Sequence, residues 1–127
     1  MPGAMGMPGP DQMAQAQQMM QQNPQLAAQV QQMMNDPQAM AKTFIDGGAS
    51  AISVLTEASR FSGSIDDLRA VKSVAGPRNV PVMEKDFVFS DYQVYEAAAN
   101  GADAVLLIIA ILEPEQYAEL LSLSLGL

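Results

Sequence analysis

Three short apolar runs, separated by segments of helical character, constrain the fold of this chain more than any other feature. The runs cover residues 51–56, 80–85 and 104–109, and each is apolar throughout or nearly so. Strand-like runs that alternate with helices in this way are typical of parallel βα units. The sequence therefore predicts an α/β fold, with strands that are covered on both faces by helices.

The segments between the runs carry helix signals. The first predicted helix begins at Ser64, a natural N-cap residue. The residues spaced to form its buried face are Leu68, Val71 and Val74. Two more helices are expected over residues 91–100 and 114–122, so a helix follows each strand.

The second apolar run delivers a lysine to its carboxyl end. Because side chains alternate along a strand, Met83 and Lys85 lie on one face and Val82 and Glu84 on the other. In open parallel sheets, ligands bind beyond the carboxyl ends of the strands. Any catalytic site is therefore expected near Lys85, although a solitary lysine at a strand end is also compatible with a simple solvated charge.

Charge and composition argue against several classes of function. The formal net charge of −8 at pH 7 disfavours a nucleic-acid partner, since such affinity depends on lysine and arginine. The absence of cysteine and histidine excludes disulfides, thiolate zinc sites and histidine-dependent catalysis. No clustered acidic loop suits a metal ion, and the longest apolar run, residues 104–112, is too short to cross a membrane. Functions on nucleic acid, metal or membrane are therefore not expected.

The first forty residues differ in composition from the rest. They hold nine of the ten methionines and eleven glutamines, and no lysine or arginine precedes Lys42. Residues 1–10 are expected to be disordered, and residues 11–43 to form a Met/Gln-rich helical segment. The helices predicted there and just beyond cover residues 11–22, 25–34 and 38–46. No targeting signal is legible, so a cytoplasmic location is expected, with a plastid left open.

This segment has a crude internal repeat. Asn23 and Asp36 are each followed by proline, a favourable start for a helix, and each follows a Gln-Gln-Met-Met run. Residues 11–41 resemble the methionine-rich helical motifs of ubiquilin-type co-chaperones, which implies an apolar helical partner. The alternative is a low-complexity helical tail with no specific partner.

A second resemblance covers about residues 44–127. Six motifs occur in order: G-A-S-A-I-S-V-L-T-E at 48–57, F-S-G-S at 61–64, D-L-R-A-V at 67–71, P-V-M-E-K-D-F at 81–87, Y-Q-V-Y-E-A at 92–97 and G-A-D-A-V-L-L-I at 101–108. This series resembles the indole-3-glycerol-phosphate synthase family. The resemblance implies a partial (β/α)8 barrel containing the second, third and fourth βα units, with a site at the carboxyl ends of the strands.

The resemblance also implies an activity and its residues. The family closes the indole ring of tryptophan biosynthesis, removing CO2 and water from a carboxyphenylamino deoxyribulose phosphate without a cofactor. Lys85 matches the lysine of the family's third-strand motif, with the implied role of general acid at the substrate carbonyl. Glu57 and Phe61 are implied at the substrate, and an ion pair between Glu57 and Lys85 is expected. Asp86 and Phe87 have supporting roles.

Part of the family's pattern is missing or altered. A complete barrel needs about 250 residues, and the first and the fifth to eighth strands have no counterpart here, so the chain is expected to be a fragment whose independent activity is in question. Glu84 stands where the family commonly has a basic or apolar residue. The open sheet edges leave self-association open as a way to rebuild a barrel. Two other hypotheses remain: a partner-binding module that uses residues 11–46, and a decayed gene without a stable product.

Overall fold

Three parallel strands form one sheet in the computed structural model, which describes residues 9–127 of the chain. The strands are β1 (Ile52–Leu55), β2 (Val82–Lys85) and β3 (Ala104–Val105), and β2 lies in the centre. In register, Leu55 is paired with Lys85, and Met83 with Ala104. The predicted α/β fold with three parallel strands is confirmed.

Seven α-helices and two short 3-10 helices are formed by the described residues. The α-helices are α1 (Pro10–Gln22), α2 (Pro24–Met34), α3 (Pro37–Asp46), α4 (Ala58–Phe61), α5 (Ile65–Ala75), α6 (Asp91–Ala99) and α7 (Pro114–Gly126). The 3-10 helices are Gly76–Arg78 and Ile109–Ile111. The third strand is therefore shorter than the predicted 104–109. It pairs with β2 alone, and after Leu106 N donates to Glu84 O the chain leaves the sheet.

Within the second compact unit of the described chain, residues 37–127, helices cover one face of the sheet. Ile52, Val54 and Val82 are buried on the face against which α5 packs, together with Glu84. On the opposite face Leu55 and Lys85 are exposed. The prediction that both faces are covered is therefore wrong for this unit, because α5, the helix that packs on both β1 and β2, covers one side and leaves Leu55 and Lys85 exposed on the other.

The main core lies between α3, α5 and the covered face of the sheet. Its buried residues are Ala41, Ile45, Ile52, Val54, Leu68, Val71, Ala75, Val80 and Val82. The Ser64 hydroxyl accepts a hydrogen bond from Asp67 N at 3.1 Å, which caps α5 and sets the direction in which its apolar face points. A second, smaller cluster joins α6 to α7 through Val88, Val94, Leu112 and Leu120.

The chain divides between residues 36 and 37 into two compact units. The second unit, Pro37–Leu127, includes α3, which crosses the predicted boundary at residues 43 and 44. Ala41 and Ile45 are 1% and 7% exposed in the main core. The Gln38 amide donates to Ser73 Oγ at 3.0 Å, which also ties α3 to α5. The Met/Gln-rich composition of the segment in which α3 begins did not indicate that this helix belongs to the unit that contains the sheet. Its buried residues show that it does.

The described part of the first unit consists of α1 and α2. Asn23 caps α2 by accepting a hydrogen bond from Leu26 N at 3.2 Å, and Pro24 occupies the first helical position. Neither helix contains a buried residue. Of the tract expected to be disordered, residues 1–8 lie outside the described residues, while Gly9 and Pro10 begin α1. Within residues 9–127 no helix is long and apolar enough to span a bilayer.

Candidate active site

A cleft of about 160 Å3 opens at the carboxyl edge of the sheet. It is lined by Leu55, Glu57, Phe61, Lys85, Asp86, Phe87, Leu106 and Ile108. These residues follow or end all three strands, because parallel strands bring their carboxyl ends to one edge. The structure thus places in one cleft the three side chains selected from the sequence, namely Lys85, Glu57 and Phe61.

Lys85 is the last residue of β2 and lies on the uncovered face of the sheet. Its register partner Leu55 and the neighbouring Leu106 supply apolar surface on either side. No ion pair between residues 9 and 127 involves Lys85. An ammonium group with apolar neighbours and no carboxylate partner can donate to a carbonyl or anionic oxygen that enters the cleft.

Glu57 caps the short helix α4 instead of pairing with Lys85. Its Oε1 accepts from Ser59 N at 2.9 Å and from the Ser59 hydroxyl. Its Oε2 accepts from Arg60 N at 2.7 Å and Phe61 N at 3.1 Å. The expected ion pair with Lys85 is therefore absent, since these four donors occupy the roughly four acceptor positions of a carboxylate.

The same hydrogen bonds keep the Glu57 side chain ionised. The Ser59 hydroxyl and then the backbone amides lower the pKa of Glu57 to about 2, because these donors stabilise the charged form more than the neutral one. The cap also orders the turn that carries Phe61. The Phe61 ring is 54% exposed and forms part of the cleft wall. Glu57 and Phe61 thus belong to one structural unit at the rim.

Gly63 allows this turn to lie close against β1. Its amide donates to Glu57 O at 2.8 Å, and a Cβ at this position would lie 2.7 Å from the carbonyl carbon of Leu55. The residue before it, Ser62, has a left-handed backbone with φ of 54°. The chain therefore turns sharply after Phe61, and only a residue without a side chain fits at Gly63.

Behind the cleft, a buried polar group joins β1 to β2. Thr56 Oγ1 lies 2.8 Å from Glu84 Oε1 and 2.8 Å from Asp86 Oδ2. Burial raises the pKa of Glu84; the Thr56 hydrogen bond opposes this, and the charges of Asp86 and Glu96 add to it. Sequence reasoning missed Thr56, although its position at the end of β1, opposite the buried face of β2, was a usable signal.

The described part of the site offers no group of three His, Cys, Asp or Glu side chains arranged to hold a metal ion. Its chemistry consists of one amine, two carboxyl groups and two aromatic rings beside aliphatic walls. Such a combination suits an organic substrate with a polar oxygen at the amine and an apolar or aromatic part along the walls.

Together the fold and the cleft define an α/β protein of parallel βα units, with its polar site at the carboxyl ends of the strands. Comparison with known proteins specifies it further. The family model for indole-3-glycerol phosphate synthase matches residues 16–127, and the chain belongs to this family. The family resemblance deduced from the motifs is confirmed, and the match begins inside the Met/Gln-rich segment instead of at residue 44.

Individual relatives give the same result. The chain is 52% identical over 88 residues to an indole-3-glycerol phosphate synthase of Mycobacteroides abscessus, covering 69% of this chain and 31% of the relative. It is 49% identical over 89 residues to that of Dehalococcoides mccartyi, covering 70% and 34%, respectively. For Kineococcus radiotolerans the values are 54% over 86 residues, with 68% and 30% covered. The chain thus spans about a third of the length of these curated relatives.

Proposed function

We propose that this chain contributes the second, third and fourth βα units of a (β/α)8 barrel that closes the indole ring. The substrate would be a carboxyphenylamino deoxyribulose phosphate, from which CO2 and water are lost. The observation that carries the proposal is the convergence of Lys85, Glu57 and Phe61 on one cleft at the carboxyl edge of the sheet. Active sites of such barrels lie at this edge.

Lys85 is proposed as the general acid. As an aromatic carbon of the substrate attacks the ketone carbon, negative charge develops on the ketone oxygen. The ammonium group of Lys85 donates a proton to that oxygen, which later leaves as water, while the ring carboxylate leaves as CO2. The absence of an ion-pair partner among the described residues supports this role, because the donor is not already engaged.

Phe61 and Glu57 are proposed to act on substrate binding. The exposed ring of Phe61 offers a surface for the phenylamino group of the substrate. Since the Glu57 carboxylate is already occupied by four donors, its contribution is to hold the α4 turn, and with it the ring of Phe61, at the rim. No cofactor is required by this reaction.

Self-association is proposed as the means by which the uncovered side of the sheet is shielded. Leu55 on the uncovered face is 39% exposed, and Ile109 and Ile111, beyond β3, are 69% and 47% exposed. Exposed apolar groups beside open strand edges favour pairing with further strands. A second copy of the chain would bring parallel strands of the same kind to these edges.

Rescue of a tryptophan-requiring host that lacks the synthase tests the enzymatic proposal. Growth without tryptophan when this chain is expressed would show that it forms a working site, and Lys85→Ala is then expected to abolish growth, because the variant loses the proton donor. Lys42→Ala is the matched control, since Lys42 is an exposed lysine with a 3.8 Å surface ion pair to Asp46. Sedimentation of the purified proteins shows whether the active form is an oligomer.

Two outcomes of the rescue would contradict the proposal. Growth with Lys85→Ala would remove Lys85 from the reaction. Failure of the original chain, in cells shown to contain it in soluble form, would mean that these three βα units do not form a working site by themselves.

A second candidate function is the binding of an apolar helical partner by the methionine-rich helices. The observation in its favour is the exposure of Met13, Met19 and Met34, at 54%, 59% and 60%. Because α3 is committed to the core of the second unit, this surface is limited to α1 and α2. Loss of binding to a labelled amphipathic peptide when Met13 and Met19 are replaced by glutamine would support it, and unchanged binding would contradict it.

A further inference from the structure

The hydroxyl group of Thr56 lies between two carboxyl groups, that of Glu84, which is buried on the covered side of the sheet, and that of Asp86, which also lines the cleft. Its oxygen is 2.8 Å from Glu84 Oε1 and 2.8 Å from Asp86 Oδ2, and both distances are those of hydrogen bonds. Glu84 is 3% exposed and Thr56 is 6% exposed. The other oxygen of Glu84 is buried and has no hydrogen-bond partner among the described residues.

The number of hydrogen atoms decides how this group is arranged. A threonine hydroxyl carries one proton, so it can donate to only one of the two carboxyl groups. If Glu84 and Asp86 were both ionised, the Thr56 oxygen would lie 2.8 Å from a carboxylate oxygen with no proton between the two atoms. One of the carboxyl groups must therefore carry a proton and donate to Thr56 Oγ1.

The surroundings of the two carboxyl groups place this proton on Glu84. Asp86 accepts a second hydrogen bond, from Phe87 N at 2.7 Å, and is only partly buried. The second oxygen of Glu84 meets no donor among the described residues, and a buried carboxylate without donors is costly. The hydrogen bonds therefore run in one direction, from Glu84 to Thr56 and from Thr56 to Asp86.

We propose that Glu84 is a protonated positioning residue, which fixes the orientation of Lys85 through Thr56 and Asp86. Glu84 and Asp86 flank Lys85 in the sequence, and both are attached to the end of β1 by the same hydroxyl. Thr56 N also donates to Lys85 O at 3.2 Å. With its backbone held on both sides, Lys85 must project towards the opposite face, where the cleft lies.

The charged groups around Glu84 do not offer it a cation. Asp86 on the same strand and Glu96 on α6 both act on it as negative charges. On α5, which packs on this face, Arg69 pairs with Asp66, and Lys72 pairs with Asp103 at 2.7 Å. Both cations of α5 are thus engaged by other carboxylates, and no ion pair among residues 9–127 involves Glu84. The relevance of the arrangement to catalysis rests on the function proposed for Lys85.

Protonation of Glu84 has a defined pH dependence. Burial raises the pKa of Glu84 in the folded state. The protonated side chain therefore contributes fully to the stability of the fold at pH values below the ordinary pKa of glutamate. That contribution is lost as the pH rises through the raised value. One proton is involved, so the folding equilibrium constant falls by at most about tenfold per pH unit in that window.

Infrared spectroscopy of the full chain tests where the proton lies. We expect the carbonyl stretch of a protonated carboxyl group in the folded protein at neutral pH, absent from Glu84→Gln and retained in Glu115→Gln, whose side chain is exposed. The side-chain amide introduced by Glu84→Gln can still donate to Thr56, so the variant should fold and should lack the fall in stability. Absence of the band in the original protein, or its persistence in Glu84→Gln, would overturn the proposal.

Amide hydrogen exchange tests the positioning role without using turnover, so its result is separate from the fate of the enzymatic proposal. Thr56→Val removes the hydroxyl at nearly constant volume and should accelerate exchange at the Phe87 amide several-fold. Glu84→Gln should leave that rate unchanged, because the donor is retained. Equal protection in the original protein and in Thr56→Val would show that the hydrogen-bonded group does not hold the segment around Lys85.

Discussion

Replacement of Leu68 by alanine is expected to destabilise the second unit by about 2–5 kcal/mol, a large fraction of the roughly 5–15 kcal/mol that stabilises a typical domain. Leu68 is 0% exposed and is the largest fully buried side chain in the core between α5, α3 and the sheet. Its removal leaves a cavity that the neighbouring β-branched side chains of Val54 and Val82 cannot fill without leaving their rotamers.

The free energy of unfolding from urea titration, followed by circular dichroism, measures this effect. Leu125→Ala is the matched control, since Leu125 belongs to the same unit but is 79% exposed, and should change the free energy little. A loss below about 1 kcal/mol for Leu68→Ala would contradict the core described here, because even small deletions in well-packed cores cost about that much.

Replacement of Gly63 by alanine is expected to destabilise the protein by about 1–3 kcal/mol and to displace the aromatic wall of the cleft. The new Cβ would meet the carbonyl carbon of Leu55 at 2.7 Å, and that carbon belongs to the backbone of a paired strand. The strand cannot yield without loss of sheet hydrogen bonds, so the turn moves instead. Phe61, two residues earlier, moves with it.

The displacement can be separated from the loss of stability. Chemical shifts of the Phe61 ring protons should change in Gly63→Ala at temperatures where the protein is still folded. Gly126→Ala is the control, because a Cβ there has no neighbour within 4 Å and alanine favours a helix. Unchanged Phe61 signals in Gly63→Ala would mean that the turn does not depend on close contact with β1.

Several elements of the site were predictable because they depend on local periodicity. The alternation along β2 predicted that Lys85 and Glu84 lie on opposite faces, and the structure has Lys85 in the cleft and Glu84 buried. The N-cap signal at Ser64 likewise predicted the start of α5. Each of these depends on residues a few positions apart, whose geometry is set by backbone dihedral angles.

Other predictions failed where competing partners decide the outcome. The ion pair between Glu57 and Lys85 was expected from opposite charges at one rim, but backbone amides of the following turn reach the Glu57 carboxylate first. Those amides are the unsatisfied donors at the start of α4, and they require no side-chain ordering to bind. Residue types alone do not reveal such a partner, because every residue but proline carries an amide.

The order of strands and helices, the two faces of each strand and the family of the chain could all be deduced from the amino acids alone. These follow from apolar spacing and from motifs that can be compared along the chain. Three features came to light in the folded chain: α3 packs with the sheet, one sheet face is left uncovered, and Thr56 binds two carboxyl groups. Burial and hydrogen bonds between strands depend on distances between residues far apart in the chain. An example is the 2.8 Å between Thr56 Oγ1 and Glu84 Oε1.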